Sequence, residues 1–268
     1  MARLFDQITS IQKFLSVRPL GLISDIDGTI SSIAPTPAQA QVSPLCRHYL
    51  SLLAQDLELV AIISGRPVAE MREMLQVEEI AYVGNHGFER WQEGRVKLHN
   101  KVGEYPAILG MVLQELEPLL AIEGIFFDNK GFTASIHYRL CRDQEGARRQ
   151  IRAALEKSSP ASKLLVSQGK MAIELQPPLG VNKGTATLDL IREHKLRRAF
   201  YLGDDSSDVD AFRAIHRVAA HDFEGLAIVV TGIETPPEVE TEADFILEGV
   251  GEVEWFLGWL ADALRTHA

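Results

Sequence analysis

Leu20-Gly21-Leu22-Ile23, followed after Ser24 by Asp25-Ile26-Asp27-Gly28-Thr29, reads as a buried strand that ends on two carboxylates and a glycine-containing turn. Open α/β sheets place their chemistry at that position, just beyond the carboxyl end of a strand. Asp25 and Asp27 lie two residues apart and share one side of an extended chain, so one can attack phosphorus or bind a metal while the other moves a proton. Taken alone, the pentapeptide is also compatible with a solvated acidic turn. The choice between the two rests on the rest of the chain.

Outward from this stretch the pattern alternates. A helix is expected near 44–54, an apolar strand over 57–63, a helix over 67–75 and a short strand over 81–83. The rhythm resumes with a helix over 183–194, a strand over 199–202, a helix over 209–215, a strand over 226–230 and a closing helix through Val250, Val253, Phe256, Leu257, Leu260 and Leu264. Trp255 and Trp259 flank that helix as packing residues. Near-continuous apolar strands separated by helices indicate a doubly wound, mostly parallel, Rossmann-like α/β sheet covered on both faces. Between about 103 and 178 the order becomes helix, strand, strand, twice over: helices near 106–120 and 142–157, strands over 124–128, 133–138, 164–167 and 171–175, the last two joined through Gln168-Gly169-Lys170. That is an inserted α+β (αββαββ) cap over 103–178, with the core formed by 1–102 and 179–268. Gly103 and Pro177-Pro178-Leu179-Gly180 serve as hinges.

The chain has 268 residues, 46% hydrophobic and 24% charged, enough to bury a full core without disulfides. Cys46 and Cys141 are its only cysteines, so a reducing cytoplasmic setting is expected, with both thiols as fillers. The net charge of -10 argues against nucleic acid or an anionic membrane as a partner, since both reward clustered Lys and Arg. It leaves room for an anionic small-molecule substrate met by locally placed cations. Leu4, Phe5, Ile8, Ile11, Phe14 and Leu15 recur at helical spacing, interrupted by charge, which indicates a packed amphipathic helix and not a signal peptide.

Three further elements fall at strand ends or a helix start. Ser64-Gly65-Arg66-Pro67 offers a hydroxyl and backbone N–H groups to a phosphate, Asn182-Lys183-Gly184 an N-cap and a point positive charge, and Gly203-Asp204-Asp205-Ser206-Ser207-Asp208 oxygen ligands for a hard divalent cation. Each has a bland alternative as a turn, a solvated lysine or a solvated acidic loop. In this order, with Asp25-x-Asp27-Gly28-Thr29, the four resemble the haloacid dehalogenase superfamily of phosphohydrolases. Gly84-Asn85-His86-Gly87 with Glu89, Lys130, His137-Tyr138-Arg139, Gly169-Lys170 with Glu174, and Asp210-Ala211-Phe212 narrow the resemblance to the trehalose-6-phosphate phosphatase family, from about residue 20 to residue 257. The chain departs from that family's pattern at Asp128, where Glu is usual, at Gln176, where Arg is usual, and at Ser206-Ser207-Asp208-Val209, where Thr-Asp-Glu is typical.

The resemblance implies a magnesium-dependent phosphatase in which Asp25 is the nucleophile and Asp27 the acid and base. Mg2+ would be held by Asp25, Asp204 and the Asp27 carbonyl, with Asp205 and Asp208 orienting the ligands, while Ser64, Gly65 and Lys183 bind the phosphoryl group. Arg66, Asn85, His86 and Asn182 from the core, and Asp128, Lys130, His137, Arg139, Lys170 and Glu174 from the cap, would contact the sugar. A monomer, with a sugar-phosphate synthase as functional partner, is expected. Another glycosyl phosphate (glucosylglycerol, mannosylglycerate or sucrose phosphate) as substrate, and a catalytically silent sugar-phosphate sensor, remain as competing readings.

Overall fold

Side chains alternate between the two faces along a strand, and here that alternation feeds two separate cores. In the strand Leu20–Ser24, Leu22 enters one and Ile23 the other; in Leu59–Ile63, Val60 and Ile62 oppose Leu59, Ala61 and Ile63; in Arg198–Gly203, Phe200 and Leu202 oppose Ala199 and Tyr201. Helices Ile8–Leu15, Pro44–Asp56, Val68–Leu75 and Gly249–Thr266 close the first core, and Lys183–Glu193 and Ser206–Arg217 the second. The structure, a computed structural model, describes residues 2–218 and 222–266. It divides into two compact units, Met1–Lys97 with Val181–Ala268, and Leu98–Gly180. The second unit takes in the expected cap, 103–178, with a few residues on either side.

In the first unit the strand order is Ala2–Arg3, Phe245–Glu248, Glu224–Thr231, Arg198–Gly203, Leu20–Ser24, Leu59–Ile63, Ala81–Gly84, Glu89–Gln92, Arg95–Leu98. The first seven pair in parallel, and Glu89–Gln92 runs antiparallel to Ala81–Gly84. From Leu20–Ser24 the chain builds outward to one side, then returns to lay Arg198–Gly203 against the other. The switch point of the sheet therefore lies between Leu20–Ser24 and Arg198–Gly203, with Asp25 and Asp204 at their carboxyl ends.

Several elements differ from the sequence reading, among them the strand Ala2–Arg3 and the helix Pro237–Thr241. The hairpin 89–98 and the strand Phe245–Glu248 were not expected; Arg95–Leu98 is a mostly exposed edge, where Arg and Lys discourage further pairing. The strand expected from 57 begins at Leu59, since Leu57 caps the preceding helix through its amide to the Leu53 carbonyl. Trp255 is half exposed and meets Phe5 edge-on, while Trp259 stacks on Phe256.

The second unit is an antiparallel sheet in the order Phe126–Asn129, Ala134–His137, Ala172–Gln176, Leu165–Gly169. Helices Tyr105–Leu119 and Gln144–Lys157 pack on the face that carries Ala134, Ile136, Ile173 and Leu175. Gly169 pairs with Ala172, so the hairpin turns at Lys170-Met171 and not at Gln168-Gly169-Lys170. A Cβ at Gly169 would sit 2.8 Å from Glu174 Oε1, so the glycine lets the Glu174 carboxylate lie close to the hairpin backbone. Among the described residues, no helix is long and apolar enough to cross a membrane.

Candidate active site

The Asp25 amide donates to the Leu202 carbonyl at 2.9 Å, so the pairing of the two central strands continues one residue past Ser24 and fixes where the first carboxylate emerges. Asp25, Asp204 and Asp208 are all buried and present carboxylate oxygens within 4.8 Å of one another. Lys183 enters this acidic cluster, its Nζ 2.9 Å from Asp25 Oδ2, 2.8 Å from Asp208 Oδ1 and 4.0 Å from Asp205 Oδ1. The lysine is the first residue of a helix capped reciprocally by Asn182 and Thr185, whose amides donate to Thr185 Oγ1 at 3.0 Å and Asn182 Oδ1 at 2.8 Å. Gly184 follows because a Cβ there would lie 2.4 Å from the Asp210 carbonyl oxygen; the two helices cross against backbone.

Asp208 is fully committed. Its Oδ1 accepts from Lys183 Nζ and from Tyr201 Oη at 2.8 Å each, and its Oδ2 accepts from the Asp204 amide at 3.0 Å and the Asp205 amide at 3.1 Å. Gly203 makes room for it, since a Cβ at that position would fall 2.3 Å from Asp208 Cγ. Asp205 caps the next helix, accepting from the Ser207 amide at 2.8 Å and the Ser207 hydroxyl at 2.6 Å. Asp25 and Asp204 are therefore the carboxylates best placed to face a cation, with Asp208 and Asp205 fixing the loop around them.

Burial pushes the Asp25 carboxyl up to about 7, opposed by Lys183 and reinforced by Asp208, Asp205 and Asp27. Burial works against the Lys183 charge, but Asp208, Asp25 and Asp205 outweigh it and hold its pKa well above the ordinary lysine value. Asp25 Oδ1 is buried with no hydrogen-bond partner among the described residues. A buried acidic cluster, one lysine and an orphaned carboxylate oxygen fit a hard divalent cation with oxygen ligands.

The neighbouring strand end supplies Ser64, Gly65 and Arg66. The Ser64 amide donates to the Val83 carbonyl at 3.1 Å, and the Asn85 and His86 amides return to the Arg66 and Ser64 carbonyls at 2.9 Å each. Asn85 and His86 hold left-handed backbone angles, φ 48° and 58°, a conformation costing about 1–3 kcal/mol per residue and met where function needs a fixed loop. His86 covers Gly65, where a Cβ would lie 2.6 Å from the imidazole Nε2. Glu89 Oε2 accepts the Val68 amide at 2.8 Å and so caps the helix that opens after Pro67. Arg66 is buried, and its guanidinium takes both Asp27 oxygens, Nε to Oδ2 at 2.7 Å and Nη2 to Oδ1 at 2.9 Å.

In the second unit Asp128, Lys130, His137 and Glu174 gather around Ser135 on the sheet face opposite the helices. Strand register sets Ser135 beside Asp128 and Glu174, and Lys130 Nζ donates to Ser135 Oγ at 2.9 Å while that hydroxyl donates to Glu174 Oε2 at 2.7 Å. Lys130 lies 3.6 Å and His137 Nε2 4.0 Å from Asp128 Oδ2, and the His137 ring stacks on Phe126. Lys170 occupies the hairpin turn, and Arg139 follows the strand that ends at His137. Ser135 and Tyr201 join these clusters without having been singled out by the motifs, while Glu89, quoted with Gly84-Asn85-His86-Gly87, accepts the Val68 amide. Ser135 and Tyr201 carry a faint signal as hydroxyls inside otherwise apolar strands, Ala134-Ser135-Ile136 and Phe200-Tyr201-Leu202.

Residues 23–250 match the family model for trehalose-phosphatase. The chain is 32% identical over 260 residues to a trehalose-phosphate phosphatase of Mycobacterium marinum, across 94% of this chain and 64% of that protein. It is 31% identical over 268 residues to an uncharacterized glycosyl hydrolase of Mycobacterium tuberculosis, across 96% of this chain and 19% of that much longer protein. The chain thus spans about a fifth to just under two thirds of the length of these relatives. In fold it is similar to the C-terminal domain of the trehalose-6-phosphate phosphatase of Candida albicans, with TM-score 0.78 and 19% identity over 98% of each chain. It is also similar to the enzyme of that name from Aspergillus fumigatus, with TM-score 0.66 and 23% identity over 98% of this chain and 100% of the other. With carboxylates, lysine and serine loop at the switch point of such a sheet, and the family model matching most of its length, the chain belongs to the trehalose-phosphatase family.

Proposed function

We propose that the protein hydrolyses trehalose 6-phosphate to trehalose and inorganic phosphate, using Asp25 as a nucleophile. The observation that carries this is the Asp25 carboxylate, buried at the switch point with Lys183 at 2.9 Å. A carboxylate approaches a phosphate dianion only when positive charge offsets their repulsion, and the transition-state charge sits on the phosphoryl oxygens. Lys183 and the Ser64-Gly65 loop supply donors for those oxygens. An Asp25 oxygen bonds to phosphorus as the phosphorus–sugar oxygen bond breaks, and protonated Asp27 gives its proton to the departing sugar oxygen. Water then attacks phosphorus with Asp27 as base, returning the Asp25 carboxylate and inorganic phosphate.

Asp25 and Asp204, with the Asp27 carbonyl, would hold Mg2+, which when bound neutralises charge between carboxylate and phosphoryl group. Monoester hydrolysis needs accelerations of up to about 10²¹-fold, of which proton transfer supplies about 10²–10⁴, so electrostatics and positioning carry the larger share. Sugar recognition falls to the second unit's polar face, centred on the Lys130, Ser135 and Glu174 chain.

The test is phosphate release from trehalose 6-phosphate, glucose 6-phosphate, sucrose 6-phosphate and the phosphates of glucosylglycerol and mannosylglycerate, in magnesium and in chelator, with Asp25→Asn alongside. Trehalose 6-phosphate should lead, chelation should stop turnover reversibly, and the variant should be inactive because an amide is not a competent nucleophile. Wild-type turnover by Asp25→Asn removes the nucleophile; preference for another glycosyl phosphate rejects the sugar and leaves the core chemistry standing.

A further inference from the structure

We infer that Arg66 is a positioning residue for Asp27, orienting the proton-transfer carboxylate from behind, and does not read the sugar. The inference rests on the proposed acid and base role of Asp27. A guanidinium carries five N–H donors in a rigid fork, and here four of them have partners. Nε and Nη2 take the two Asp27 oxygens at 2.7 and 2.9 Å, Nη2 also donates to the Pro37 carbonyl at 2.9 Å, and Nη1 to Glu70 Oε2 at 3.2 Å.

Exposure separates the roles of the two side chains. The Arg66 side chain is 9% exposed and that of Asp27 33%, so the guanidinium is the more buried of the two groups. The arginine backbone is anchored as well, its amide donating to Ser64 Oγ at 3.3 Å and its carbonyl accepting from Asn85 at 2.9 Å. One residue thereby links the phosphate-binding loop, the Asp27 turn, the turn Pro37–Gln39 and the helix Val68–Leu75. A bidentate fork fixes the plane of a carboxylate, which a single point contact cannot do. A carboxylate offers about four acceptor positions, and the arginine fork takes one on each oxygen of Asp27.

The test is a double-mutant cycle in the full chain with MgCl2, comparing wild type, Arg66→Gln, Arg66→Lys, Asp27→Asn and both Arg66 changes combined with Asp27→Asn. Turnover is read on trehalose 6-phosphate and on p-nitrophenyl phosphate, whose leaving group needs no proton. Misplacement of a reacting group by about 1 Å costs on the order of 10²-fold, so Arg66→Gln should lower kcat on the sugar phosphate by about 10–10²-fold with little change in KM. In the Asp27→Asn background the same change should have no further effect on the sugar phosphate. Arg66→Lys, which keeps the charge and loses the fork, should fall between.

A rise in KM with kcat intact, or losses that multiply in the double variants, would assign Arg66 to the substrate and overturn the inference. Loss of a cooperative thermal transition in both Arg66 variants would place the residue in fold maintenance and overturn it too. If Asp27→Asn turns over both substrates like wild type, the acid and base role of Asp27 is what fails, a result distinct from either.

Discussion

Replacing Lys183 by methionine strands carboxylates that have no other cation at bonding distance among the described residues. The lysine lies 2.9 Å from Asp25 and 2.8 Å from Asp208, is 2% exposed, and faces an Asp208 that is itself fully buried. At an effective dielectric near 20, each contact is worth about 6 kcal/mol of gross attraction, most of it offset by the cost of taking the charges out of water. Breaking a buried pair by removing one partner costs about 3–5 kcal/mol. For a domain of this size that is a fall in Tm of about 6–20 °C, from roughly 2–4 °C per kcal/mol. Turnover should fall by at least about 10²–10³-fold, the usual loss when one donor to a developing oxyanion is removed. Urea unfolding of Lys183→Met, compared with Lys183→Met/Asp208→Asn, checks the reasoning: neutralising Asp208 should recover part of the loss, since the penalty comes from unpaired charge and not from missing volume. A destabilisation below about 1 kcal/mol, or a double variant weaker than the single one, would refute it.

Gly84→Ala should destabilise by about 1–3 kcal/mol, because its Cβ would lie 2.7 Å from the Val68 amide and 2.8 Å from the Arg66 carbonyl, backbone atoms of the helix Val68–Leu75 and of the loop before it; an unchanged urea midpoint contradicts that packing. His216 shares a 2.9 Å hydrogen bond with Asp244, which raises its pKa above the free value of about 6.5. Its contribution to stability is therefore full below about pH 6.5 and lost as pH rises through the folded-state value. His216→Gln should accordingly lose more stability relative to wild type at about pH 5.5 than at about pH 8.5, and equal urea-midpoint gaps at the two would rule the pairing out.

Local pattern reaches as far as the strand ends. The apolar runs before Asp25, before Ser64 and before Gly203-Asp204 are continuous because both sheet faces are buried, and that burial is visible in one segment at a time. From this the α/β class, the placing of Asp25 and Asp27 at a strand end and the helix carrying Lys183 follow without knowledge of neighbours. Which strand lies beside which does not. Only the return of Arg198–Gly203 to the open side of Leu20–Ser24 makes a switch point there and brings Asp204 to Asp25. The same limit hid the fork of Arg66 on Asp27, 39 residues away, and the Tyr201 hydroxyl on Asp208. It also hid the strand pair at 89–98, whose polar, exposed edge carries too little apolar period to mark it. Periodicity records which face of an element is buried. The partner of a buried polar group is set by register and crossing geometry between segments far apart in the chain, and that is fixed by the tertiary structure alone.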